Sequence, residues 1–292
     1  DMALAGAVST MGYARELLAA EAPPETTRLR LGQNTGTCIA PQYLAAEMLR
    51  AEGFSDLRYV PGAQVYTSIA AGEVDLGMAF IAPFIVQADA SEKVVMLAGI
   101  HPGCIELYGS ERIRALRDLK GRTVSTSGLE GPAQAFIASM LAYVGLDPQR
   151  DVNWVVQKEE EAFRQLAEGK VDARITAPPT SYMLRARKIG RLIVNMTTDR
   201  PWSQYFCCVL TGNREFVRKN PVATKRAMRA ILKSADLCAS NPEPSARALT
   251  KFLAGSASPP TYELALQTMR EVPYARWRDY DTEDTVRFYA LR

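Results

Sequence analysis

Ile69-Ala70-Ala71-Gly72-Glu73-Val74-Asp75 and Leu166-Ala167-Glu168-Gly169-Lys170-Val171-Asp172 end two helices in one manner. An apolar turn meets a glycine that stops the helix, and one charged residue, a valine and an aspartate follow. Downstream, each Asp leads through a short strand into a proline-bearing loop, Phe80-Ile81-Ala82-Pro83 in one case and Thr176-Ala177-Pro178-Pro179 in the other. Upstream, each helix is preceded by a strand, at residues 57–60 and 152–155. Further upstream stands a strand, a small polar loop and an amphipathic helix. The first such helix carries Leu44, Ala45, Met48 and Leu49 and stops at Gly53-Phe54; the second carries Phe136, Ile137, Met140 and Leu141 and stops at Gly145-Leu146. Pro41 and Pro132 sit in their first turns, where a missing amide hydrogen costs little. Strands at 94–97 and 191–194 close the two units, and matched positions are 91 to 97 residues apart.

Strands alternating with helices predict an α/β fold of two doubly wound lobes, each built on a parallel sheet. A chain of 292 residues is long enough for both. The spacing assigns residues 28–107 and 205–292 to one lobe and 108–204 to the other, inserted lobe, with a two-crossing hinge between them. Residues 1–27 read as the remnant of an export signal or as an N-terminal arm. From Asn213 onward the pattern is helical, and a last helix is expected from Asp281-Thr282, with more sequence following Arg292.

Composition closes several classes. The 35 basic and 32 acidic side chains leave a net charge of +3, too slight and too dispersed for a nucleic-acid footprint. No apolar run reaches the length of a membrane span. The five cysteines, Cys38, Cys104, Cys207, Cys208 and Cys238, show no metal-ligand spacing, and His101 is the only histidine. From spacing alone, neither a zinc centre nor a cofactor is expected.

In open α/β sheets ligands sit beyond the carboxyl ends of the strands. With those ends facing one another, the small-residue loops line a cleft between the lobes. The expected lining is Asn34, Thr37, Cys38, Gln64, Phe80, His101, Ser127, Gly128, Thr176 and Tyr205. Backbone amides near Thr37-Cys38 and Ser127-Gly128 open helices and favour an anionic group. Phe80 and Tyr205 would pack an apolar body. Neither loop has a nucleotide-binding glycine pattern, so the expected ligand is a small organic anion. At a helix start the dipole would lower the Cys38 thiol pKa, although a buried packing role is the simpler reading.

The order of Ala40-Pro41-Gln42-Tyr43, the two glycine-valine-aspartate turns and Asp118-Leu119-Lys120-Gly121-Arg122-Thr123-Val124 resembles the extracytoplasmic solute-binding proteins of nitrate/sulfonate/taurine-type ABC transporters. The likeness runs over roughly residues 28–292. It implies a type II periplasmic-binding-protein fold, a sulfonate, carboxylate or similar anion clamped between lobes, and delivery to an inner-membrane permease. It also implies a monomer, no catalysis, and a periplasmic location, free or held at the membrane. The same fold carries enzymes, which give the alternative. Thiamine-pyrimidine synthases use a cysteine-rich cluster for which Cys207-Cys208 would be the counterpart. A related desulfinase uses a first-loop cysteine, matched by Cys38 with His101, but its arginine-glycine segment is replaced here by Gly103-Cys104-Ile105.

Overall fold

The computed structural model of the chain describes residues 21–33, 36–61, 65–90, 92–129, 131–256, 258–279 and 281–291. Residues 1–20 of the expected signal remnant or arm at 1–27, and the cleft residues Asn34 and Gln64, lie outside them. In the first half, β1 (Arg28–Gln33), α1 (Ala40–Leu44), α2 (Ala46–Ala51), β2 (Asp56–Pro61), α3 (Val65–Ala70), β3 (Leu76–Phe80), α4 (Ile81–Ala90) and β4 (Val94–Pro102) follow in order. The second half repeats the plan with β5 (Glu106–Gly109), β6 (Arg122–Thr126), α5 (Pro132–Tyr143), β7 (Val152–Val156), α6 (Glu159–Ala167), β8 (Ala173–Thr176), α7 (Thr180–Ala186) and β9 (Arg191–Asn195). Next come β10 (Phe206–Asn213), α8 (Arg214–Lys219), α9 (Pro221–Ser240), α10 (Pro242–Phe252), α11 (Tyr262–Glu271) and α12 (Thr282–Tyr289).

These strands form two separate five-stranded sheets, ordered β2-β1-β3-β10-β4 and β7-β6-β8-β5-β9. The sheets are mixed rather than parallel as expected: each has parallel strands at one side, and the strand by which the chain crosses over from the other half, β10 or β5, enters antiparallel beside the third. The duplication read from the glycine turns is therefore a duplication of topology. Its corner is the aspartate. The Asp75 carboxylate accepts the Arg30 amide at 2.7 Å, and that of Asp172 accepts the Thr123 amide at 3.0 Å. In return each Asp donates its own amide to the same residue's carbonyl, both at 2.9 Å. The carbonyls of Asp75 and Asp172 then accept the amides of Asn213 and Ser110 on the returning strands. Gly72 and Gly169 have φ of +75° and +67°, which a side chain adopts only under strain and which lets the chain turn from helix into this corner.

Glu106–Gly109, which the sequence divides between the lobes, lies wholly in the second sheet, because Glu106 already pairs with Thr176 and Asn195. The outward crossing is thus Gly103-Cys104-Ile105. The single first helix expected through Leu49 is two helices that meet at Ala45, after a 3-10 turn at Thr37–Ile39. The last helix starts as expected, with the Asp281 side chain accepting the amides of Glu283 and Asp284.

Leu29, Leu31, Leu76 and Met78 on the first sheet and Val124, Ala173 and Ile175 on the second are buried, giving roughly 1.5–3 kcal/mol for each large side chain. Buried Gln42 ties the elements at the cleft end of the first sheet. Its amide donates to the Gly32 carbonyl at 2.7 Å and accepts the Met78 amide at 2.7 Å. No helix among the described residues is long and apolar enough to cross a membrane.

Candidate functional site between the lobes

The carboxyl ends of the two sheets approach each other. Phe80, ending β3, sets its ring edge-on to Phe136 of α5, with centroids 5.7 Å apart and planes at 89°. At one side of this junction Arg185 of α7 pairs with Glu271 of α11 and with buried Glu106 of β5. At another side α12 bridges the halves. Its Thr285 hydroxyl accepts the Phe206 amide at 3.2 Å, and its Tyr289 ring meets Phe136.

The expected lining residues do not all face one open cleft. Thr37 and Cys38 are buried under the C-terminal segment: the Thr37 hydroxyl lies 2.9 Å from that of Thr268, and the Tyr274 hydroxyl donates to the Cys38 carbonyl at 3.0 Å. Tyr205 stacks flat on Phe288, with centroids 4.2 Å apart and planes at 3°. Ser127 is exposed and Gly128 half-buried in a turn whose Gly128 carbonyl accepts the Thr126 hydroxyl. Thr176 is buried at the end of β8.

His101 is fully buried. Its Nδ1 lies 3.1 Å from the Pro102 carbonyl oxygen, and its Nε2 lies 3.1 Å from that of Cys38. Around it the fold assembles what spacing did not foreshadow. One donor atom from each of Cys38, His101, Cys104 and Cys208 lies within 4.8 Å of all the others, and all four residues are buried. Cys207 joins them through Cys104, with sulfurs 2.9 Å apart. Linear spacing carries no sign of these residues' proximity, which tertiary structure creates. They come from the turn after β1, the end of β4, the crossing and β10, which no linear motif records.

Burial disfavours charge on the imidazole, but the Cys208 and Cys38 sulfurs outweigh it and raise the His101 pKa to about 10. The Cys104 sulfur acts to lower the pKa of Cys38. Cys208 and burial prevail, and the thiol is pushed up to about 11. The lowering of the Cys38 thiol that a helix start would bring is therefore not what its surroundings favour.

The second sheet supplies a residue that the loops alone did not suggest. Arg174 lies in β8, the central strand, with 4% of its surface exposed. One terminal nitrogen donates to the Ser125 hydroxyl at 2.9 Å and lies 3.5 Å from the Gln157 carbonyl oxygen, just past the end of β7. Its Nε is buried without a partner, and no carboxylate forms an ion pair with it among the described residues. Burial holds its pKa below the ordinary arginine value, partly offset by the charge of Glu159. A charge inside the four-residue strand Ala173-Arg174-Ile175-Thr176 was the available sequence signal, since central strands are otherwise apolar. A second polar atom, the Ser181 hydroxyl of α7, is also buried without a partner.

A crevice of about 680 Å³, lined in part by Arg28, Arg30, Asp75, Lys93 and Arg218, opens at the amino ends of β1 and β3. That is the opposite end of the sheet from where α/β folds hold small ligands.

A family model described as NMT1/THI5 like matches residues 51–245, more than half of the chain. The chain belongs to the NMT1/THI5-like family. No curated protein sequence matches this family member. Among solved structures it is similar to the alkanesulfonate-binding protein SsuA from Xanthomonas axonopodis pv. citri bound to MOPS. The TM-score is 0.69 at 19% identity, covering 92% of this chain and 94% of that one. It is similar to the periplasmic aliphatic sulphonate binding protein SsuA from Escherichia coli, with TM-score 0.69, 18% identity and coverage of 86% and 80%. It is also similar to the periplasmic nitrate-binding protein NrtA from Synechocystis PCC 6803, with TM-score 0.64, 15% identity and coverage of 85% and 70%. At such identities the likeness establishes the fold: this NMT1/THI5-like chain has the periplasmic-binding-protein architecture.

Proposed function

We propose that this protein is the extracytoplasmic solute-binding component of an ABC importer and that it clamps a small organic anion between its two lobes without acting on it chemically. The observation that carries the proposal is Arg174. A guanidinium removed from water, with no carboxylate in ion-pair contact among the described residues and only the charge of Glu159 acting on it, costs several kcal/mol, and an anionic ligand offsets that cost where a neutral one does not. Ser125, Thr126 and Thr176 add hydroxyls at the same strand ends, as a sulfonate, carboxylate or similar anion requires. The similarity to sulfonate- and nitrate-binding proteins supports the same class of ligand. On this reading the protein is exported, works as a monomer on the outer face of the inner membrane, and hands its ligand to a permease. The bodies that open and close are the one built on the first sheet, residues 28–102 with 206–292, and the one built on the second, 106–204.

A melting-temperature screen with alkanesulfonates, aryl carboxylates and neutral analogues of equal size tests it. An anion that binds the folded form should raise Tm with concentration, by mass action. In Arg174→Met that rise should vanish. If no anion shifts the wild-type Tm, or if Arg174→Met responds as the wild type does, the proposal fails.

A further inference from the structure

We infer that Cys38, His101, Cys104 and Cys208 form a buried zinc site at the crossing between the lobes. Three thiols and an imidazole with no oxygen donor are the ligand set of zinc rather than of calcium or magnesium. The four donor atoms already lie within 4.8 Å of one another. A tetrahedral ion with bonds of about 2.3 Å to sulfur and about 2.0 Å to nitrogen holds its ligand atoms about 3.3–3.8 Å apart. Small side-chain rotations, without movement of the sheets, therefore close the set around an ion.

His101 is placed to join such an ion: one ring nitrogen turns from its carbonyl oxygen to the metal, while the other, 3.1 Å from the carbonyl oxygen of Pro102 or Cys38, keeps an N–H bond to a carbonyl, the usual outer support of a zinc-bound histidine. A feature that such an ion accounts for is the backbone at the crossing. Cys104 has φ of +77° and follows Gly103 at +72°. A non-glycine residue in the left-handed region is a cost that structures retain where the side chain has to be held in place. Here the tight turn keeps the Cys104 sulfur in the cluster. As the ion binds, its ligands release the protons they carry to solvent, and its two positive charges offset two of the three thiolate charges in a site that excludes water.

The ion lies where the chain passes from one sheet to the other and ties β4 and β10 of the first sheet to the crossing, so it acts as a structural pin. The inference does not depend on the nature of the transported ligand, and its test contains none. Full-length protein, reduced and freed of metal, is dialysed against zinc and its metal content measured. One equivalent per chain and a raised Tm are expected. Cobalt(II) in place of zinc should give the intense visible bands of a tetrahedral ion and a thiolate-to-cobalt charge-transfer band. Cys208→Ala and His101→Ala should each lose at least tenfold in zinc affinity, whereas Cys238→Ala, which removes a buried thiol of α9 outside the cluster, should not. Because a core substitution can prevent folding, the cobalt spectrum of the wild type stands as an independent readout. Reduced, folded wild type that takes up no stoichiometric zinc overturns the inference. So does equal affinity in Cys208→Ala and Cys238→Ala, or a cobalt spectrum without thiolate bands.

Discussion

Arg185 places both terminal nitrogens on the Glu271 carboxylate, at 3.1 and 3.0 Å, and one of them also reaches Glu106. The first contact joins α7 of one half to α11 of the other across the mouth of the junction. The second neutralises a carboxylate that burial pushes above the usual range and that Tyr108 and Arg185 partly restore. The two contacts are not equal. Arg185 and Glu271 are about one-third exposed, whereas Glu106 is buried. Glu271→Gln should therefore cost at most about 1 kcal/mol of stability. Arg185→Met should cost about 3 kcal/mol, because it strands Glu106. Urea denaturation of both variants, and of Arg185→Met with Glu106→Gln, checks this; the double variant should recover part of the loss.

The matched aspartates should differ in weight although they share a position. Asp75→Ala removes the acceptor of the Arg30 amide and also the ion pair to its guanidinium. Asp172→Ala removes the acceptor of the Thr123 amide and a contact with the mostly exposed Arg112. Losses of about 3 and about 2 kcal/mol are expected from the buried hydrogen bonds left unmade. Equal or negligible losses in denaturant titrations would remove the corner's role in holding first to third strand.

Acid should loosen the packing of α9. Arg229 hydrogen-bonds both Glu21 and Glu52, and this contact is the first cause that lowers the two carboxylates, Glu21 to about 2 from its usual 4.5. A carboxylate with a lower pKa in the folded than in the unfolded chain stabilises fully above the unfolded value. That contribution is lost as pH falls through the folded value. The Tm difference between wild type and Arg229→Met should thus be constant from pH 7 to about 5 and shrink as pH falls from 4.5 toward 2. A gap that widens on acidification would contradict the assignment.

Gly99 lies in β4 opposite Val209, and a Cβ there would enter the Phe206 ring. Gly99→Ala should cost about 1–3 kcal/mol, the range of an overpacked core, and Phe206→Leu in the same chain should relieve part of it. Thermal melts of the single and double variants provide the comparison.

The architecture was legible because it is written in local, repeated signals. Glycine stops, aspartates after valine and alternating strands act within a few residues, and each half presents them in the same order. The parallel pairing of the first three strands in each half follows from them, since short right-handed connections leave few alternatives, whereas the antiparallel entry of β10 and β5 does not. The changeover between lobes was less legible. Glu106–Gly109 is apolar enough for either sheet, and only its pairing with Thr176 and Asn195 decides which.

Of the site, the sequence determined the ends of the strands, the helix-opening turns and the presence of an arginine in a central strand. The tertiary structure decided that Thr37, Cys38, Phe80 and Tyr205 are packed against Thr268, Tyr274, Phe136 and Phe288, and that Arg174 is buried with no carboxylate in ion-pair contact among the described residues. It also decided that Cys38, His101, Cys104 and Cys208, on four segments, share one small volume. The physical reason is range: turn and helix preferences are set by neighbours along the chain, while burial, charge pairing and ligand geometry depend on residues brought together only when both sheets and the C-terminal helices have closed.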